Sequence, residues 1–174
     1  RLNELRKNIS YVFQEPVILN MSIKDNLMYG NDNVQLEDVI NVCKKLGINE
    51  KIENFDKGYN TIIYAETDIL SYGEKQLLSF ARAILKNGSI VILDEVTSNL
   101  DLQFEKNVME ANKVILENKI SFVIAHRINT IKDADLIVFI DDKQIVEMGT
   151  HQELIEKHGY YYNLYMSKEK VLNN

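Results

Sequence analysis

Short apolar runs separated by polar turns divide this chain into elements. Ile9 to Phe13 reads as a strand that stops before Gln14-Glu15-Pro16, where the single proline enforces an extended or turning backbone. Ser22, with Asp25 three residues on, is placed to cap a helix from Ile23 to Tyr29. Leu36, Val39, Ile40, Cys43 and Leu46 recur at helical spacing, with Gly47 behind them as a left-handed C-cap. Leu77, Leu78, Ala81, Ile84 and Leu85 form a second helical stripe. From Asn87 onward the pattern changes. Ser89 to Leu93, Ile120 to Ala125 and Leu136 to Ile140 have the length and apolarity of buried strands, and Leu102 to Asn118 predicts a helix between the first two. Gln144 to Met148 is a further strand, reached through Asp141-Asp142-Lys143. Thr150-His-Gln-Glu153 is a capping box that opens a helix, and Tyr160 to Leu172 predicts the last one.

Alternating strands and helices imply an α/β fold, a largely parallel sheet with helices on its faces. The segment from about Val17 to Asn87 has no comparable strand and reads as a mainly helical insertion into that core. At 174 residues the chain is long enough for one domain with a real core. A net charge of −6 argues against a nucleic-acid binder working by phosphate neutralisation. No stretch approaches the ~18 apolar residues of a membrane span, so any membrane role is expected to come through another domain or subunit. The one cysteine, Cys43, cannot form an internal disulfide and is expected as a half-buried helix residue.

Four segments carry candidate chemistry. Ile90-Val-Ile-Leu-Asp94-Glu95 is an apolar strand ending in two acids, which puts both carboxylates at the C-terminal edge of a parallel sheet, where such folds bind ligands. Asp94 there could hold Mg²⁺ and Glu95 could polarise a water, although strands also end in acids merely to meet solvent. Leu70-Ser71-Tyr72-Gly73-Glu74-Lys75-Gln76 opens a helix. Ser71 and Glu74 fit a capping box, and the same free N–H groups, hydroxyl and glycine would suit an anion. His126 closes the strand Ile120 to Ala125, where it could contact a phosphate or serve structure alone. Gln14 sits just past the first strand, a neutral amide able to touch a metal or a water, or simply to face solvent.

Together these segments resemble the nucleotide-binding domain of ABC transporters. Tyr11 to Pro16 looks like the family's Q-loop, Leu70 to Gln76 its signature motif, and Ile90 to Glu95 its Walker B strand. Ser98 to Asp101 looks like the D-loop and Ala125-His126-Arg127 the H-loop. Asp25 to Gly30, Gly58 to Thr61, Glu95 to Asp101 and Gly149 to Leu154 are similar to the exporter branch. The resemblance implies a partial P-loop NTPase core, RecA-like, with residues about 17–87 as the helical subdomain and 1–16 and 88–174 as the α/β core and C-terminal helices. It implies ATP and Mg²⁺ as ligands. Glu95 would be general base, His126 would brace the γ-phosphate, and Asp94 and Gln14 would serve the metal and water network. Ser71, Gly73 and Gln76 would reach ATP held by a second such domain, and Asp101 would couple the two sites. A transmembrane domain would be the other partner, at the cytoplasmic face of the cell membrane.

Two departures stand out. No G-x-x-x-x-G-K-[ST] phosphate loop occurs; none of the seven glycines has another five residues on. With Arg1 in place of an initiator methionine, this leads to the expectation of a C-terminal part of the domain, inactive alone and with unpaired sheet edges. The signature reads Leu-Ser-Tyr-Gly-Glu where the family usually has Leu-Ser-Gly-Gly-Gln. Tyr72 is bulky and Glu74 adds a negative charge where a γ-phosphate is expected, which favours a heterodimer with one weak site. The alternative is that Glu74 caps its helix and Tyr72 lies at the rim. A soluble ABC ATPase and a catalytically silent interaction module are the rival readings.

Overall fold

The computed structural model describes residues 2–31, 33–65, 69–95, 102–125 and 128–172. They form two compact units, one ending at Ile124 and the other starting at Ala125. The first unit opens with helix α1 (Leu2–Lys7) and strand β1 (Ile9–Val12), then the two-residue strand β2 (Met21–Ser22) and helix α2 (Ile23–Met28). Helices α3 (Leu36–Lys45) and α4 (Asn49–Glu53) lead to strand β3 (Ile62–Ile63) and the long helix α5 (Tyr72–Lys86). Strand β4 (Ile90–Asp94), helix α6 (Leu102–Leu116) and strand β5 (Ile120–Ile124) complete it. α1, α4 and the β2–β3 pair are additions to the elements expected from the sequence; each is too short to carry a period.

β1, β4 and β5 make a parallel sheet in the order β1-β4-β5, with Ile9 opposite Ile90 and Ile90 opposite Ile120. Parallel strands need a crossover, and α6 is the crossover between β4 and β5. The core of the unit runs from Val12, Val91 and Leu93 through Leu77, Phe80 and Ala81 of α5 to Val39, Cys43 and Leu27. α5 therefore packs on the sheet and on α2, α3 and α6 at once. Cys43 is fully buried rather than half-buried, and burial pushes its thiol up to about 11. The junction of α5 with the sheet is tied by Ser10, whose buried hydroxyl donates to the Ala83 carbonyl and accepts from the Gly88 N–H. Asn87 ends α5 in the left-handed region (φ +52), and Gly88 follows so close to β1 that a Cβ would lie 2.6 Å from the Asn8 carbonyl oxygen.

A second polar junction holds the chain after β1. Asn26 is fully buried in α2; its amide donates to the Leu19, Met21 and Ser22 carbonyls and accepts from the Leu19 N–H. Arg82 of α5 donates to the Asn26 carbonyl at 2.8 Å, to the Asn26 side-chain oxygen at 3.2 Å and to the Val17 carbonyl at 3.1 Å. One guanidinium thus fastens α5 to Val17 and Asn26, two places that the sequence separates.

The second unit is a hairpin with two helices. Strands β6 (Ile137–Asp141) and β7 (Gln144–Gly149) are antiparallel, joined by Asp142 and Lys143, both at positive φ as a type I′ turn requires. Helix α7 (His151–Glu156) carries the expected capping box of Thr150 and Glu153, and α8 (Tyr160–Leu172) begins on the Glu147 carboxylate, which accepts from the Tyr160 and Tyr161 N–H groups. Ile128, Ile137, Leu154 and Tyr161 form its core.

Two runs expected as buried strands are open instead. In β5, Ile120, Phe122 and Ile124 are 64%, 59% and 52% exposed, because β5 pairs only with β4 among the described residues and so lies at the sheet edge. In β6, Val138 and Ile140 are exposed on the face of the hairpin away from its small core.

Two outcomes follow from this architecture. Asn26→Ala strands several buried backbone carbonyls and part of Arg82, and is expected to cost about 2–3 kcal/mol, read as a lowered urea midpoint. The open edge of β5 is expected to make the isolated chain self-associate, so that its scattering mass rises with concentration and a Phe122→Lys variant lowers it; a clean monomer at high concentration would contradict this.

Candidate functional site at the end of the parallel strands

The parallel register sets Tyr11 opposite Ile92 and Val12 opposite Leu93, so β1 and β4 release their chains at the same sheet edge. Gln14 lies two residues beyond β1; Asp94 ends β4 and Glu95 follows it. The Gln14 amide donates to Glu95 Oε2 at 2.8 Å, and the Tyr11 hydroxyl donates to Asp94 Oδ2 at 2.9 Å. The Asp94 hydrogen bond, ahead of burial and charge, raises the Tyr11 phenol above its ordinary value, so Tyr11 stays a donor at neutral pH. Glu95 has φ +46, a conformation disfavoured for a residue with a Cβ, and its N–H donates to the Ile124 carbonyl of β5 at 2.9 Å. That bend turns the chain out of the strand and aims the side chain at Gln14.

The first turn of α5 closes over the same place. Ser71 is its N-cap, accepting from the Glu74 N–H at 3.2 Å, while the Ser71 N–H donates to Glu74 Oε2 at 2.7 Å. The other Glu74 oxygen pairs with Lys51 of α4 at 3.6 Å. Tyr72 reaches sideways, its hydroxyl donating to the Gln14 carbonyl at 2.7 Å. Burial, then Glu15 and Glu95, raises its phenol. Gly73 is buried. Gln76, expected among the ligand-facing residues, is fully buried, and its amide donates inward to the Phe13 carbonyl at 3.3 Å. A groove of about 350 Å³ opens beside this turn, lined by Gln14 to Pro16, Ile18, Tyr72 and Lys75 among others.

The structure thus brings Gln14, Asp94 and Glu95 together and sets Ser71 and Gly73 on either side of Tyr72, which holds the Gln14 carbonyl. His126 and Asp101, also expected here, lie outside the described residues. Two residues were missed. Tyr11 gives no local signal of its contact with Asp94. Arg82 does: it is the one charged residue between Lys75 and Lys86 in an otherwise apolar helix, which calls for buried partners.

The donor set suits a hard cation. Two carboxylates and an amide oxygen offer oxygen only, and no cluster of three His, Cys, Asp or Glu occurs among the described residues. Mg²⁺ takes one or two carboxylates and fills its remaining positions with water and phosphate oxygens, so Asp94 with Gln14 fits it.

Comparison with known proteins agrees with this arrangement. Residues 1–98 match the family model described as ABC transporter. An ATP-dependent lipid A-core flippase of Acinetobacter baylyi is 41% identical over 165 residues, 94% of this chain and 29% of the flippase. An ABC transporter ATP-binding protein of Bacillus subtilis, YknU, is 40% identical over 94% of this chain and 28% of its own length. The solved structure of a bacterial Atm1-family ABC exporter with ATP bound superposes with a TM-score of 0.83 at 31% identity, covering 94% of this chain and 29% of the exporter. The chain therefore spans between a quarter and a third of the length of these relatives. With strand, bend and helix turn in the same order as its motifs, the chain belongs to the ABC transporter ATP-binding family.

Proposed function

We propose that these residues form part of an ATPase domain that powers export across a membrane. The observation that carries the reading is the 2.8 Å contact between Gln14 and Glu95 at the carboxyl edge of two parallel strands. A carboxylate held by a neutral amide keeps its aim, which is what a general base for water needs. Glu95 takes the proton from the attacking water, and Gln14 orients both. Mg²⁺, when bound through Asp94 and Gln14, supplies charge neutralisation for the phosphate oxygens. Ser71 and Gly73 present a hydroxyl and a close-approach backbone at the start of α5 toward ATP held by a second ABC ATPase domain. His126 and Asp101 keep the roles the family pattern suggests, bracing the γ-phosphate and coupling the two sites.

Residues about 17–87 act as the helical subdomain, and the groove between the Gln14 loop and α5 is the surface offered to a transmembrane domain, at the cytoplasmic face of the membrane. Among the described residues no helix is long and apolar enough to cross a membrane itself. The second ATPase domain is the same chain or a different one. The heterodimer reading draws on the charge of Glu74, and the pairing of that charge with Lys51 weakens it.

The 174 residues contain no phosphate loop, whose backbone N–H groups and lysine give most of the grip on ATP. The isolated chain is therefore expected to release no phosphate from Mg-ATP. In the complete natural protein, Glu95→Gln is expected to lower turnover by about 100-fold or more while nucleotide binding persists. Wild-type turnover by Glu95→Gln would overturn the assignment of the base.

A further inference from the structure

Two side chains on one face of α5, four residues apart, hold two consecutive carbonyls of the loop after β1. Gln76 donates to Phe13 and Tyr72 donates to Gln14. The Gln76 link is buried, whereas Tyr72 stands at the surface, 37% exposed, and crosses to the loop through its hydroxyl alone among its hydrogen-bonding atoms. The Gln14 peptide is thus gripped from behind by Tyr72, and its side chain grips Glu95 in front at 2.8 Å. A line of hydrogen bonds runs from the first turn of α5 to the carboxylate through a single residue. Glycine, the usual residue of the family at this place, offers no side-chain donor, so the link belongs to this sequence.

We propose that Tyr72 is a positioning residue for Glu95, holding the Gln14 backbone so that the Gln14 amide stays on the carboxylate. The proposal rests on Glu95 being the base. A phenol that keeps its proton is suited to the task. Burial, then nearby Glu15 and Glu95, opposes its ionisation, so the donor persists through neutral pH. Without it, among the described residues, α5 holds the loop at Phe13 and at Val17 but not between them, and the Gln14 side chain samples positions off Glu95.

The test compares Tyr72→Phe, Gln14→Ala, the double variant and Glu95→Gln in the complete ATPase that carries these residues. Tyr72→Phe removes one oxygen and keeps the ring. It is expected to lower kcat about three- to tenfold with KM for Mg-ATP little changed, the loss of one hydrogen bond felt at the reacting group. In the Gln14→Ala background the same substitution is expected to have no further effect, since the route passes through Gln14. Hydrogen exchange at the Gln14 and Glu15 amides is expected to quicken in Tyr72→Phe, a readout independent of turnover. Unchanged kcat, a drop that persists in full in the Gln14→Ala background, or unaltered exchange overturns the proposal while Glu95→Gln remains inactive. Full activity of Glu95→Gln instead removes the base, and the proposal falls with it.

Discussion

Everything at the site hangs on α5 lying flat against the parallel sheet. Phe80, Leu77 and Ala81 bury one side of it in a core shared with Val12 of β1 and Val91 and Leu93 of β4, and Ser10 ties its C-terminal end to β1 through the Ala83 carbonyl and the Gly88 amide. Fixing the middle and the C-terminal end of a fifteen-residue helix fixes where its first turn falls. That turn carries Ser71, Tyr72 and Glu74, and it falls over the loop that leaves β1. Burying a phenylalanine or leucine contributes roughly 1.5–3 kcal/mol, whereas each polar contact at the turn contributes about 1 kcal/mol. The core therefore decides the placement, and the hydrogen bonds of Tyr72 and Gln76 only refine it.

Arg82 shows how the same helix governs a second distance. It reaches Val17, where the loop ends, and Asn26 in α2, where the helical segment begins. Removing a guanidinium from water is costly, and burial lowers its pKa from the ordinary arginine value. Three acceptors offset that cost, and Asn26 is itself saturated by the turn it closes. A loop held at Phe13 and Gln14 by one end of α5 and at Val17 by its middle has little freedom between those anchors. Gln14 is consequently presented from a rigid frame even though it lies outside any regular element.

Much of this was legible in the sequence where a short-range rule applied. Capping boxes at Ser71–Glu74 and Thr150–Glu153, the cap at Ser22 and the left-handed Gly47 all follow from spacings of a few residues, and all are present. The apolar run ending in Asp94-Glu95 placed both acids at a sheet edge. What the sequence could not announce depends on tertiary neighbours. Ile120, Phe122 and Ile124 look like core by composition, yet exposure depends on which strand, if any, lies beside β5. Gln76 shares the polar character of its neighbours, and only the packing of α5 on β1 turns it inward. The Tyr11–Asp94 and Tyr72–Gln14 contacts join residues 83 and 58 positions apart, beyond any local pattern.

Glu74 illustrates how a local charge loses its long-range meaning. A bare carboxylate about 4 Å from a phosphate would repel it by about 4 kcal/mol at an effective dielectric near 20. Here one oxygen accepts the Ser71 N–H and the other faces the Lys51 ammonium at 3.6 Å. An anion approaching the start of α5 meets a paired dipole, whose field falls off faster than that of a single charge, and salt shortens it further. The same approach meets the positive end of a four-turn helix, an attraction of about 0.3–1 kcal/mol. Lys51 therefore matters to the site although it lies on another helix, twenty-three positions away in the chain from Glu74. The first turn of α5 keeps the electrostatic character of a helix N-terminus because α4 supplies the cation that pairs with Glu74.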